Sequence, residues 1–189
     1  MLALQGDFRE HRLALEAAGA DPVSVRRPPD LEGLHAIVLP GGESTTMQLL
    51  LERVGLWEPL RERVRAGLPT LATCAGLILL AARVEDGRAG QRSFGLLDVV
   101  VRRNAYGSQL ESFEAALEVD GLDDSFEGIF IRAPQIESVG SAANAYAWHG
   151  EWPVGVRQGA IIGLAFHPEL AEDTRIHREF VRIADGRPL

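Results

Sequence analysis

The 189-residue sequence predicts an α/β protein with a parallel central sheet and an added antiparallel portion. Three observations predict it. In the first half, short apolar runs closed by glycine or proline alternate with stretches of helical spacing. From Leu97 onward, six short strand-like runs follow one another with little helical sequence between them. Helical spacing then returns near the end of the chain.

The elements are justified in order. Residues 8–19 place Phe8, Leu13, Leu15 and Ala18 among charged side chains, with Gly19 as a stop signal, and read as a helix. Residues 34–39 form an apolar run closed by Pro40-Gly41-Gly42, a buried strand entering a glycine turn. Ser44 or Thr45 can cap a helix through Val54, ended by Gly55, and a further helix covers residues 57–66. Residues 69–73 read as a strand, and the Leu- and Ala-rich residues 75–84 as a helix. The later strands are expected at 97–103, 112–118, 128–132, 143–148, 154–157 and 161–166, with Gln158-Gly159 as a hairpin turn. Residues 173–184 carry Ile176, Phe180, Val181 and Ile183 on one side of a last helix.

Composition narrows the function classes. With 46% hydrophobic and 24% charged residues, the chain matches an ordinary soluble protein, and residues 1–189 are expected to form a single domain. A net charge of −8 and scattered arginines argue against nucleic acid, which needs clustered Lys and Arg. No apolar run approaches the roughly 18 residues that span a bilayer, so no membrane contact is expected. The opening Met1-Leu2-Ala3-Leu4 lacks the pattern of a secretory signal. One cysteine suits a reducing cytoplasm and excludes an internal disulfide framework.

That cysteine, Cys74, stands between a predicted strand and a predicted helix. Free cysteine is among the most buried residue types, so a core role and a nucleophilic role are both open at this point. A tight strand-to-helix turn would expose the sulfur above the sheet, and the helix N-terminus would favour thiolate. Ala72 and Gly76 supply the small residues that such a turn needs. Ala165-Phe166-His167-Pro168-Glu169 is the second candidate. Residues two apart in extended chain point the same way, so Glu169 can hold one nitrogen of His167 while the other faces a nucleophile. His11, His35, His149 and His177 lack such a neighbourhood in the sequence. Gly41-Gly42 after a strand is the third candidate, a turn whose N–H groups could hold an oxyanion. A phosphate loop would need a glycine-lysine pattern that is absent. No second cysteine or close histidine pair accompanies these residues, so no metal is expected. All three candidates follow predicted strands, where open α/β sheets place their sites.

Several segments together resemble a known family. They are Leu-Pro-Gly-Gly-Glu-Ser-Thr-Thr (39–46), Thr-Cys-Ala-Gly-Leu-Ile-Leu-Leu (73–80), Arg-Asn-Ala-Tyr-Gly (103–107), Ser-Phe-Glu (112–114), Phe-Ile-Arg-Ala-Pro (130–134) and Phe-His-Pro-Glu-Leu (166–170). They are similar to the glutaminase subunit of pyridoxal 5′-phosphate synthase, a class I glutamine amidotransferase, over essentially the whole chain. The resemblance implies a flavodoxin-like three-layer sandwich with a mostly parallel sheet. It implies hydrolysis of L-glutamine to L-glutamate and ammonia without a cofactor. The ammonia would pass to a barrel-shaped synthase subunit, within a large hetero-oligomer, for vitamin B6 synthesis. Carried over by motif position, Cys74 is the nucleophile, His167 the base and then acid, and Glu169 its orienter. Gly42, Glu43, Ser44, Arg103, Ile131 and Arg132 are implied to contact substrate, with Gly42 and Ala75 at the oxyanion.

Two departures accompany the match: a short opening strand before Gln5, and Ser108 where the family carries a basic residue. Two other readings share these motifs. The ammonia could serve a different synthase, against which the Arg-Asn-Ala-Tyr-Gly segment argues. The chain could be a non-catalytic regulatory subunit, against which an intact Cys74, His167 and Glu169 argue.

Overall fold

A computed structural model describes residues 1–103 and 112–186. Asn104 to Gly107 of the family-like segment, and Ser108, lie outside the described residues. In chain order the elements are α1 (Phe8–Ala17), a 3-10 turn (Pro28–Leu31), β1 (Ile37–Leu39), α2 (Ser44–Arg53), α3 (Trp57–Arg65), β2 (Thr70–Thr73) and α4 (Ala75–Leu80). There follow β3 (Ala81–Glu85), β4 (Leu97–Arg102), β5 (Ser112–Val119), β6 (Phe126–Ile131), β7 (Gln135–Val139), β8 (Asn144–His149), β9 (Trp152–Gln158), β10 (Ile161–Leu164) and α5 (Arg175–Ala184).

A seven-stranded sheet has the order β1-β2-β10-β9-β8-β5-β6, and a three-stranded sheet the order β3-β4-β7. β1, β2 and β10 run parallel, and every residue in them is buried. Helices cover such strands on both faces, which is why they are continuous apolar runs rather than alternating ones. Met1 to Ala3 extend this block. The Leu2 N–H donates to the Val38 carbonyl at 2.9 Å, and the Ala3 N–H to that of Val25 at 3.0 Å. The short opening segment is thus paired on both sides. From β10 onward the pairing is antiparallel, through β9, β8, β5 and β6.

The antiparallel arm curls back. β6 is the far edge strand, yet its Ile129 carbonyl accepts from the backbone N–H of His167, just beyond β10, at 2.8 Å. Phe166 brings its ring within 5.8 Å of Phe130 and 5.9 Å of Phe126, and Phe113 stacks on Phe130 at 4.5 Å. Such aromatic packing adds about 0.5–1.5 kcal/mol per pair beyond burial, so the curl is held by apolar contact as well as by one hydrogen bond. A contiguous core runs from Met1 to Phe180.

Three expectations need correction. The helix placed at 75–84 stops at Leu80, and Ala81–Glu85 pair in parallel with β4 instead. The carbonyls of Leu79 and Leu80 accept from the N–H groups of Phe94 and Leu96, so the incoming chain takes over the helix's last acceptors. The cap of α2 is Glu43, not Ser44 or Thr45: its carboxylate accepts from the N–H groups of Thr45 and Thr46. The hairpin loop is Gly159-Ala160, because Gln158 still pairs with Ile161. The side chain of Gln158 instead joins the two sheets, accepting from the Asp98 N–H at 2.8 Å and donating to the Leu96 carbonyl at 3.1 Å.

Candidate active site

The three parallel strands end at the same edge, since Leu39 pairs with Ala72 and Leu164 with Thr73. The next residues are Pro40-Gly41-Gly42 after β1, Cys74 after β2 and Ala165-Phe166-His167 after β10. Parallel register therefore brings together segments far apart in sequence.

Cys74 has φ 46° and ψ −100°, a strained conformation for a residue with a Cβ and one that costs on the order of 1–3 kcal/mol. Its N–H donates to the Leu164 carbonyl at 2.8 Å, which locks the turn. Gly76 lets α4 approach β1: a Cβ there would lie 2.2 Å from the Leu39 carbonyl oxygen. The Cys74 sulfur is buried, 3.9 Å from the Ile131 carbonyl.

His167 is 3% exposed, and its Nδ1 lies 2.8 Å from Glu169 Oε1. Its Nε2 is buried and has no hydrogen-bond partner among the described residues. Burial alone would lower the imidazole pKa, but the Cys74 sulfur and the Glu169 carboxylate outweigh it and raise it to about 10. Glu169 is buried too. Burial opposes its ionisation, while His11 and His167 hold its carboxyl well below the usual range. Asp7 Oδ2 lies 3.5 Å from the same Nδ1, and burial raises its pKa. Asp7, His167 and Glu169 bring one ligand atom each within 4.8 Å, so a cation would find three donors here, although Nδ1 already serves Glu169.

The glycine turn is packed against residues 5–7. Gly42 has φ 141°, and the Glu43 N–H donates to Gln5 Oε1 at 3.0 Å. Ala75 opens α4, where helix N–H groups have no intrahelical partner. Burial opposes ionisation of Glu43, but hydrogen bonds from Thr46 and Thr45 outweigh it and lower its pKa to about 2. The Arg103 guanidinium donates to Glu43 Oε1 at 3.1 Å, to Thr45 Oγ1 at 3.2 Å and to Gln91. Ser44 is buried and accepts from Gln91 Nε2 at 3.0 Å.

A cavity of about 420 Å³ opens over the sulfur. Of the residues singled out in the sequence, Cys74, His167, Gly42, Glu43, Ser44, Arg103, Ile131 and Arg132 line it; Glu169 stands behind His167, and Ala75 is not in the lining. Sequence reasoning missed Gln5, Gly6, Asp7, Ile78 and Arg88 in that lining. Gln5 and Asp7 lie in Leu2-Ala3-Leu4-Gln5-Gly6-Asp7, a segment that also resembles the opening of that family and is the one signal that could have marked them. His11 and His177, set aside in the sequence, are fully buried behind Glu169.

This geometry can be set beside known proteins. Residues 1–185 match the SNO glutamine amidotransferase family. The pyridoxal 5′-phosphate synthase subunit PdxT of Streptomyces avermitilis is 53% identical over 96% of this chain and 90% of that protein. The protein of the same name from Deinococcus radiodurans is 52% identical over 99% of this chain and 97% of its own length. A crystal structure described as a glutamine amidotransferase superposes with a TM-score of 0.91 at 48% identity, covering 97% of each chain. PurLQS from Thermotoga maritima shares the fold at TM-score 0.71 and 18% identity, over 96% of each chain. The chain belongs to the SNO glutamine amidotransferase family.

Proposed function

We propose that this chain hydrolyses L-glutamine to L-glutamate and ammonia through Cys74, His167 and Glu169, and that the ammonia serves a pyridoxal 5′-phosphate synthase. One observation carries the assignment of roles. A buried imidazole, oriented by a carboxylate at 2.8 Å, lines the same open cavity as the one cysteine of the chain. The common designation of the relatives as synthase subunits supports the destination of the ammonia.

The Cys74 thiolate attacks the side-chain amide carbon, and the carbonyl oxygen becomes an oxyanion facing N–H groups of the Gly42 loop and Ala75. Protonated His167 gives its Nε2 proton to the amide nitrogen, ammonia leaves, and a thioester remains on Cys74. The now neutral imidazole takes a proton from water as the water attacks the thioester. The carbon–sulfur bond breaks, and glutamate departs. An imidazole pKa well above neutrality keeps the acid loaded for the first departure, where an amine leaving group needs it most.

At the mouth, Arg132 and Arg103 suit the substrate's α-carboxylate and Glu43 its α-ammonium, with Ser44 and Ile131 bounding the pocket. The partner is read as the barrel-shaped synthase subunit, the two forming a large hetero-oligomer. The contiguous core supports one glutaminase domain over residues 1–189. A cytoplasmic setting agrees with the single free cysteine. Among the described residues no helix is long and apolar enough to cross a membrane.

The test is glutamate release from L-glutamine, with and without the synthase subunit. Release is expected to rise with the synthase and to fall by about a thousandfold or more in Cys74→Ala, with unchanged circular dichroism. Release that survives in Cys74→Ala would overturn the nucleophile assignment.

A further inference from the structure

Glu169 has two carboxylate oxygens, and His167 uses only Oε1. Oε2 makes no hydrogen bond among the described residues, but a second imidazole faces it: His11 Nε2 lies 3.3 Å away, within ion-pair range, with both side chains completely buried. The same Nε2 is 3.1 Å from Thr73 Oγ1, whose hydroxyl is 3.5 Å from Glu169 Oε1. His11 Nδ1 in turn lies 3.0 Å from Nε2 of His177, also fully buried. The chain of polar groups from the sulfur thus does not end at the carboxylate. It continues through α1 to α5.

Proton placement along this chain follows from its ends. An ionised Glu169 needs a donor at Oε2, so His11 must carry its proton on Nε2; a bare nitrogen there would set two acceptors against each other. With that proton on Nε2, the neutral ring leaves Nδ1 bare to accept from the Nε2–H of His177. The remaining His177 Nδ1 is then unprotonated; among the described residues it has no hydrogen-bond partner. A bare acceptor is the less demanding group to leave in that position. Burial lowers the pKa of His177 to about 3, in agreement with a neutral His177 ring.

Resting on the glutaminase reading above, we propose that His11 is a positioning residue for the reaction: anchored by His177, it fixes Glu169 through the oxygen that His167 leaves free. A carboxylate held by one partner can pivot about its Cβ–Cγ and Cγ–Cδ bonds. With an imidazole against each oxygen, its plane at Nδ1 is constrained, and so is the direction of Nε2. Partners behind a catalytic or metal-bound histidine act in this way elsewhere. His11 is not in the cavity lining, so it acts through Glu169 and through Thr73, the residue before Cys74.

Two amide substitutions separate this role from mere core filling. The amide nitrogen of His11→Gln falls at the place of Nε2 and can still donate to Glu169. That of His11→Asn falls at the place of Nδ1, towards His177, and leaves Oε2 without a donor. Glutaminase kinetics are measured for both variants in complex with the synthase subunit, with folding checked by thermal melting. His11→Asn is expected to lose about tenfold or more in kcat with KM within about twofold, while His11→Gln stays within about threefold of the parent. Equal losses in the two variants, or parental kcat in both, would overturn the proposal. So would a loss confined to KM. If one variant fails to fold, the other decides: a folded Gln variant must keep its kcat, and a folded Asn variant must lose it. Absence of Cys74-dependent release in the parent complex would instead overturn the glutaminase reading itself.

Discussion

The parallel block β1-β2-β10 and the antiparallel arm β9-β8-β5-β6 belong to one sheet but carry different burdens. The block is short and wholly buried, and at its end lie a strained cysteine, a histidine and a glutamate. The outer arm strands alternate in burial, as a half-solvated sheet should. Parallel strands all end on one side, so whatever follows them collects there. Antiparallel strands end on alternate sides, so they can contribute only where they bend over. The arm does so at β6, laying the Ile129 and Ile131 carbonyls and Arg132 against the site. Reactive groups come from the block and the cover comes from the arm.

This division predicts that equal steric insults have unequal consequences. A Cβ on Gly41 would lie 2.3 Å from His167 Cε1 and 2.9 Å from Asp7 Oδ2. Gly41→Ala is therefore expected to displace the imidazole and to lower kcat about a hundredfold, because misplacements near 1 Å cost that much. Stopped assays on the complex with the synthase subunit would read it, and a kcat within threefold of the parent would contradict the packing described. In the arm, a Cβ on Gly155 would meet Ala147 Cβ at 2.9 Å and Leu164 Cδ2 at 2.9 Å. Gly155→Ala should cost about 1–3 kcal/mol of stability, seen as a melting temperature lower by several degrees. Activity per folded molecule should remain at the parental level.

The smallest effect is a difference in the response to acid. His177, behind the block, is held neutral in the fold with a pKa of about 3 against 6.5 when unfolded. The unfolded chain takes up its proton first, so this group removes stability as pH falls from about 6.5, at no more than about 1.4 kcal/mol per pH unit. Glu179, beside the arm strand β8 through Tyr146, has a carboxyl pKa raised by burial. The fold there binds its proton more readily, so acid favours it. Urea unfolding at pH 7 and 5.5 should show a shallower loss in His177→Gln and a steeper one in Glu179→Gln. Identical slopes in the parent and both variants would remove the distinction.

The same division governs what could be read from the sequence. The block strands were legible because burial on both faces makes them uninterrupted apolar runs bounded by glycine and proline. The roles implied for Cys74, His167 and Glu169 followed from short local motifs. Residues 81–85 were not legible: Ala82 and Arg83 suit a helix, and only pairing with β4, a tertiary interaction, makes them a strand. Gln135–Val139 was missed because a polar edge strand with one fully buried residue, Ile136, gives no periodic signal. Glu43 was overlooked as a cap because serine and threonine are the usual signal there. His11 and His177 are 166 residues apart, and nothing in either neighbourhood announces that they meet.

The curl of the arm has a consequence for how the molecule is made. The sulfur is synthesised at residue 74, its cover at 129–132 and its base at 167, and only the insertion of β10 between β2 and β9 joins them. A nascent chain that stops before His167 holds a thiol with neither base nor orienter. Glutamine in the cell is therefore safe from every copy that stops short of the last strand, and the base and its orienter arrive together, just after it.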